Sequence, residues 1–147
     1  MAKGSSHPLL SRADGIATGM TDALLLIGRV LVACVFLMTV WAGSPNVGYL
    51  TSINFMNPAI MSPLALVVEW TIVVSLVLGI GTRYGALLGL AFVIVATVTA
   101  HRYWGYPQAA QLVQYIFLTK NLAIAGGLIV LFVTGGGRFS VDEKLRG

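Results

Sequence analysis

Long apolar runs broken by short polar or glycine-containing stretches dominate the chain after residue 20, whereas the first 20 residues are polar and contain glycine and serine. A bilayer hydrocarbon core takes about 20 helical residues to cross. Four runs suit that length: residues 21–41, 62–80, 82–100 and 107–134. In the first, Thr21 is the expected N-cap with Asp22 favourable beside a helix N-terminus, and Gly43-Ser44-Pro45 is the stop. The second has Ser62 as its expected cap and Pro63 at its first helical position, and it ends around Gly79 to Gly81. The third carries Gly81, Gly85 and Gly89 at four-residue spacing, which predicts a small-residue face that another helix can approach closely. The fourth starts near Pro107, is the most polar, and stops at Gly135-Gly136-Gly137.

The connections are read the same way. Residues 43–61 hold no charge but contain Pro45, Asn46, Tyr49, Asn54, Asn57 and Pro58, so an interfacial loop is expected. After the glycines, Ser140-Val141-Asp142-Glu143 has capping-box spacing and predicts a short surface helix within a polar tail at residues 135–147. The expected fold is therefore all-α: an integral membrane four-helix bundle at residues 21–134, preceded by a polar cytoplasmic tail at 1–20.

Composition agrees with that reading. Of 147 residues, 57% are hydrophobic and 10% charged, and the mean hydropathy of +0.88 is too high for a soluble domain of this size. The first apolar run lacks a small-residue cleavage site and is expected to remain as an anchor. Lys3, Arg12, Arg83, Arg138, Lys144 and Arg146 flank one side of the four spans, against Arg102 on the other, so both termini are expected in the cytoplasm. The net charge of +4 then faces anionic headgroups, and no nucleic-acid partner is expected.

Charges inside apolar spans demand a reason. Counted from the cytoplasmic ends at about 1.5 Å per residue, Arg29 lies roughly 12 Å up, Glu69 roughly 18 Å and Lys120 roughly 21 Å. Glu69 and Lys120 are thus expected to meet, with Arg29 reaching toward the same carboxylate and His101 above them. Trp70 and Asn121 neighbour this cluster in sequence, and the six residues form the candidate site for ligand binding or proton relay. A purely structural pairing of Glu69 with Lys120 or Arg29 is the competing reading. No residue is assigned a catalytic role.

Other features have plainer readings. Gly135 to Gly137 lack the context of a phosphate-binding loop and serve as a helix exit. Trp41, Trp70 and Trp104 fall toward one side, as an interfacial aromatic belt does. Cys34 is the single cysteine, and His7 and His101 stand far apart, so neither an internal disulfide nor a metal site is expected.

An arginine in the first span, GYL in the first loop, VVEW in the second span, GIGTRYGALLGL and finally FLTKNLAIAGGLIVLFVTGGGRFSVD occur in that order. With these motifs the chain resembles the DoxX family. Arg29, Glu69, Arg83, Lys120, Asn121, Gly126, Gly127, Arg138, Ser140 and Asp142 carry the resemblance, which covers roughly residues 22–142. It departs after the first span, where Trp41-Ala42-Gly43-Ser44-Pro45 has no lysine following the glycine. The resemblance implies a multi-pass protein of the bacterial inner membrane, with relatives tied to quinone-dependent oxidoreductases or membrane redox complexes.

The leading expectation is an accessory subunit of a redox complex rather than a stand-alone enzyme. It would bind a quinone or lipid headgroup, carry no covalent cofactor, and pack against other membrane subunits or copies of itself. A purely structural or assembly subunit and a small oligomeric transporter are the alternatives; the absence of internal repeats counts against the transporter.

Overall fold

The computed structural model describes residues 8–43 and 45–147, with side chains from residue 14 onward. Among these residues the chain is all helical: α1 (Pro8–Trp41), α2 (Val47–Ser52), α3 (Pro58–Leu78), α4 (Thr82–Ala100), a 3₁₀ turn (Tyr103–Gly105), α5 (Gln108–Thr134) and α6 (Val141–Lys144). Helices α1, α3, α4 and α5 are long and apolar enough to cross a membrane. Lys3, His7 and Ser44, weighed in the sequence reading, lie outside the described residues, as does the side chain of Arg12.

Backbone satisfaction explains why helices fill the apolar runs, because no water competes for N–H and C=O groups in hydrocarbon. Embedded hydroxyls follow the same rule. Thr71, Thr97, Thr99 and Thr134 each donate to the carbonyl four residues earlier, on Val67, Val93, Val95 and Val130.

The span boundaries agree with the expected ones except at two helix starts. Helix α1 begins at Pro8, so the helix already runs through residues 8–20 of the polar stretch, ahead of the expected start at Thr21. Thr21 is accordingly no N-cap: its hydroxyl donates to Ala17 O inside the helix at 2.8 Å. Helix α3 begins at Pro58 after Asn57, which adopts left-handed backbone at φ 46°, and Pro63 lies inside it. Ser62 therefore caps nothing and donates instead to Pro45 O at 2.8 Å, tying the preceding loop to α3. That loop is partly helical, with Asn46 capping α2 through a 2.8 Å bond from Tyr49 N.

The four long helices form a ring in which α1 packs on α3, α3 on α4, α4 on α5, and α5 more sparsely on α1. Ala33, Phe36, Ile72, Val73, Leu76, Ala86, Val93, Leu128 and Leu131 fill its centre. Many outward-facing side chains are large and apolar, including Leu31, Val67, Leu122 and Val133, each more than 60% exposed on the bundle. Such a surface is costly in water and suited to lipid.

Gly85 and Gly89 set the closest approaches. A methyl group at Gly85 would collide with the Ser75 side chain of α3, and one at Gly89 would press on Leu128 of α5 and Ile72 of α3. These two positions match the expected packing face. Gly81 does not: it turns the chain between α3 and α4 at φ +58°, and the nearest atom to an added methyl belongs to Tyr84.

Residues after α5 close one end of the bundle as a clasp. Asp142 accepts hydrogen bonds from Gly81 N at 2.6 Å and Thr82 N at 2.8 Å, capping α4 from outside that helix. The Asp142 amide donates to Gly79 O at 2.9 Å, and Arg138 N donates to Asp22 Oδ1 of α1 at 2.9 Å. Ser140 caps α6 as expected, accepting from Glu143 N at 3.3 Å. The opposite end, with α2 and the 3₁₀ turn, is the loop end.

Candidate functional site

Between the core and the loop end lies a cavity of about 610 Å³, within the size range of small-molecule sites. All four long helices and α2 contribute to its wall. Phe36, Phe92 and Phe117 supply aromatic surface, while Thr39, Glu69, His101, Gln114, Lys120 and Asn121 supply the polar groups.

Glu69 is the most buried of these, 2% exposed near the middle of α3. Its Oε1 accepts a 2.7 Å bond from Thr39 Oγ1 of α1, whereas Oε2 is buried with no hydrogen-bond partner. An unpaired carboxyl oxygen among apolar walls costs about 1–3 kcal/mol or more, since no water replaces the missing bond. A carboxyl group offers either a lone pair or an O–H at that position.

The expected ion pair between Glu69 and Lys120 does not form. Among the described residues, the carboxylate and cation within 4 Å are Glu143 and Arg146, on the surface at 3.5 Å. Lys120 shares the cavity with Glu69 but places its Nζ 5.0 Å from the centroid of the Phe117 ring. That geometry suits a cation–π contact. The Phe117 ring also meets the His101 ring at 5.0 Å between centroids, and His101 Nδ1 is 3.0 Å from Gln114 Oε1. Asn121 is buried and donates through Nδ2 to Thr97 Oγ1 at 3.0 Å, locking α5 to α4 beneath the cavity.

Two candidate residues stand elsewhere. Trp70 is 46% exposed and faces outward, one helical step of about 100° from Glu69. Arg29 is fully buried but extends toward the clasp, where Nη2 donates to Phe139 O at 2.7 Å. Its Nη1 lies where a Gly79 side chain would begin, so Gly79, at φ +70°, is required both for the turn and for space. Depth along the membrane placed Arg29 near Glu69; rotation about α1 and the direction of the side chain send it to the other end.

The loop end roofs the cavity. Tyr49, Leu50, Ile53 and Phe55 line it from α2 and the following turn, and Leu50 is buried. Burial first, then the neighbouring Tyr106 phenol, raises the Tyr49 hydroxyl above its ordinary pKa, so this group remains a neutral donor. Tyr106 OH donates to Ala100 O at 2.9 Å and Gln111 Nε2 to Tyr106 O at 3.0 Å, fixing the connection between α4 and α5. Sequence reasoning did not place Thr39, Tyr49 or Gln114 at the site. Gln114 carried a signal as a polar residue within the fourth span; Thr39 and Tyr49 become visible only once α1 and α2 are folded against α3.

The profile of the DoxX family matches residues 24–102. Inner membrane protein YphA of Escherichia coli is 30% identical over 125 residues, which span 82% of this chain and 89% of that protein. Inner membrane protein YqjF of the same organism is 28% identical over 130 residues, 86% of this chain and 95% of that protein. ER-derived vesicles protein ERV29 of Saccharomyces cerevisiae is 26% identical over 122 residues, 82% of this chain and 33% of that protein. No solved structure matches the chain.

Proposed function

We propose, from the premise that this chain belongs to the DoxX family and is a multi-pass inner-membrane protein, that it holds the polar head of a quinone or lipid in the cavity beside Glu69. In this reading it is an accessory subunit, and a partner protein supplies the electrons that a bound quinone would receive. The observation that carries the proposal is the unpartnered Oε2 of Glu69 in the wall of a largely apolar cavity. A ligand with an oxygen-bearing head and an apolar body satisfies both surfaces at once.

The polar groups then divide the work. Glu69 hydrogen-bonds a head oxygen and exchanges a proton with it. The Lys120 ammonium attracts negative charge on the head, and the His101–Gln114 pair lies toward the loop end, on the way to water. Arg29 has no part in this site. Arg83, Arg138, Lys144 and Arg146 belong to the clasp end and its adjoining residues. With that end in the cytoplasm, positive charge is retained on the inner side and the cavity lies in the outer half of the membrane.

Equilibrium binding of a ubiquinone to the purified protein in nanodiscs tests the proposal. Losing one hydrogen bond from a carboxyl group costs about 1.5–3 kcal/mol, so Glu69→Leu should weaken binding by about tenfold or more. Equal affinity in the parent and Glu69→Leu, for quinone and for phosphatidylglycerol alike, would exclude Glu69 as the head-binding group. Altered assembly with partner subunits in that variant, with binding unchanged, would then favour the structural-subunit reading.

A further inference from the structure

One side of the cavity is built differently from the others. Along α3, Ser75, Val68, Leu64 and Met61 follow one another at helical spacing and face α4; along α4, Gly85, Leu88, Phe92, Val95 and Thr99 do the same toward α3. Next to the connecting turn these two stripes touch, for the Ser75 side chain occupies the space that a Gly85 methyl would need. Farther from the turn both stripes line the cavity, Leu64 and Val68 from α3 and Leu88, Phe92 and Val95 from α4. Leu64 and Val95 are 51% and 50% exposed there, although both belong to the cavity wall. Through these half-exposed side chains the cavity wall reaches the outward, apolar face of the bundle between α3 and α4.

At the loop end, residues of α2 and its following turn line the cavity, and Ser62 ties that loop to α3. We infer that the ligand reaches Glu69 sideways from the bilayer, between α3 and α4, and that its hydrocarbon chain stays in this slot while the head lies inside. The inference rests on the proposed head-binding role of Glu69 and adds the ligand's class: a lipid-soluble molecule with a long chain, not a water-soluble metabolite. An isoprenoid quinone and a membrane lipid share that chemistry, and different probes separate them. Gly85 has a role in this arrangement: lacking a side chain, it lets α4 close on Ser75 of α3 beside the turn.

The test compares three probes, a long-tailed ubiquinone, a tail-less benzoquinone and phosphatidylglycerol, on purified protein with Leu64→Trp or Val95→Trp. Val98→Trp, on the outward surface of α4 and outside the cavity wall, serves as the folding control. Either slot variant should weaken the long-tailed quinone by about tenfold, whereas the tail-less head binds as it does to the parent and the control is unaffected. Binding of phosphatidylglycerol but not of ubiquinone by the parent, weakened in either slot variant and not in the control, would support the slot with a lipid as its occupant. Slot variants that bind long-tailed and tail-less probes with parental affinity would overturn the inference while leaving Glu69 as head-binding group. Failure of the parent to bind any of the three would overturn both.

Discussion

Removing the Asp142 carboxylate should loosen the clasp by a calculable amount. In the folded chain it accepts two backbone bonds, from Gly81 N and Thr82 N, at the start of α4. Bonds to a charged acceptor contribute about 1.5–3 kcal/mol each, which sets an upper limit. Asp142 is half-buried, and water reaches the freed amides, so the net loss in Asp142→Ala should be nearer the 0.5–2 kcal/mol of a lost N-cap, or about 1–2 kcal/mol here. The helix dipole of α4 adds to the same preference for negative charge. Burial opposes ionisation of Asp142, yet the backbone bonds from Thr82 and Gly81 outweigh it and hold the carboxyl below its ordinary 3.8. A depressed folded pKa means that this stabilisation is complete above the unfolded value and is lost as pH falls through the folded one. Unfolding by sodium dodecyl sulfate titration from mixed micelles at pH 7 and in an acid series should therefore show the parent losing stability below about pH 4. Asp142→Asn, which keeps an acceptor but no charge, should be intermediate at neutral pH and flatter in acid. Parental stability of Asp142→Ala at pH 7, or identical acid profiles for parent and Asp142→Asn, would refute the capping argument.

Two further perturbations probe the frame. Gly85→Ala should lower unfolding free energy by about 1–3 kcal/mol through overpacking against Ser75, and adding Ser75→Gly should restore part of it; additive losses in a double-mutant cycle would show that the two do not compete for space. Arg29→Ala should free the segment around Phe139 and leave its carbonyl without the guanidinium, which limited proteolysis reads as faster cleavage after α5, with unchanged cleavage counting against the role of Arg29 in holding the clasp.

The spans were legible because membrane-length apolar runs end at residues with a specific conformational role. The bounds of α4 follow from Gly79 and Gly81, whose positive φ angles make the turn. The start of α1 was not legible, because polar composition marks where a chain leaves lipid, not where it stops being helical. Glu69, Lys120, His101 and Asn121 line one cavity, whereas counting depth from the helix ends spoke only to Arg29, Glu69 and Lys120. Rotation about each helix axis is invisible to that arithmetic, which is why Trp70 and Arg29 were drawn into the wrong neighbourhood. The capping box at Ser140 was readable as a local pattern. Its neighbour Asp142 was not readable as a cap for α4, since the two partners are separated by 60 residues of chain and meet only through the fold.

The clasp also orders events during synthesis. The amides of Gly81 and Thr82 receive their acceptor from Asp142, which the ribosome adds only after α1, α3, α4 and α5 have all been made. A nascent chain thus inserts its helices with the α4 start open, and maturation is completed by the arrival of residues 140–142. Chains released early, just past Thr134, would retain the four membrane-length helices and still lack this closure.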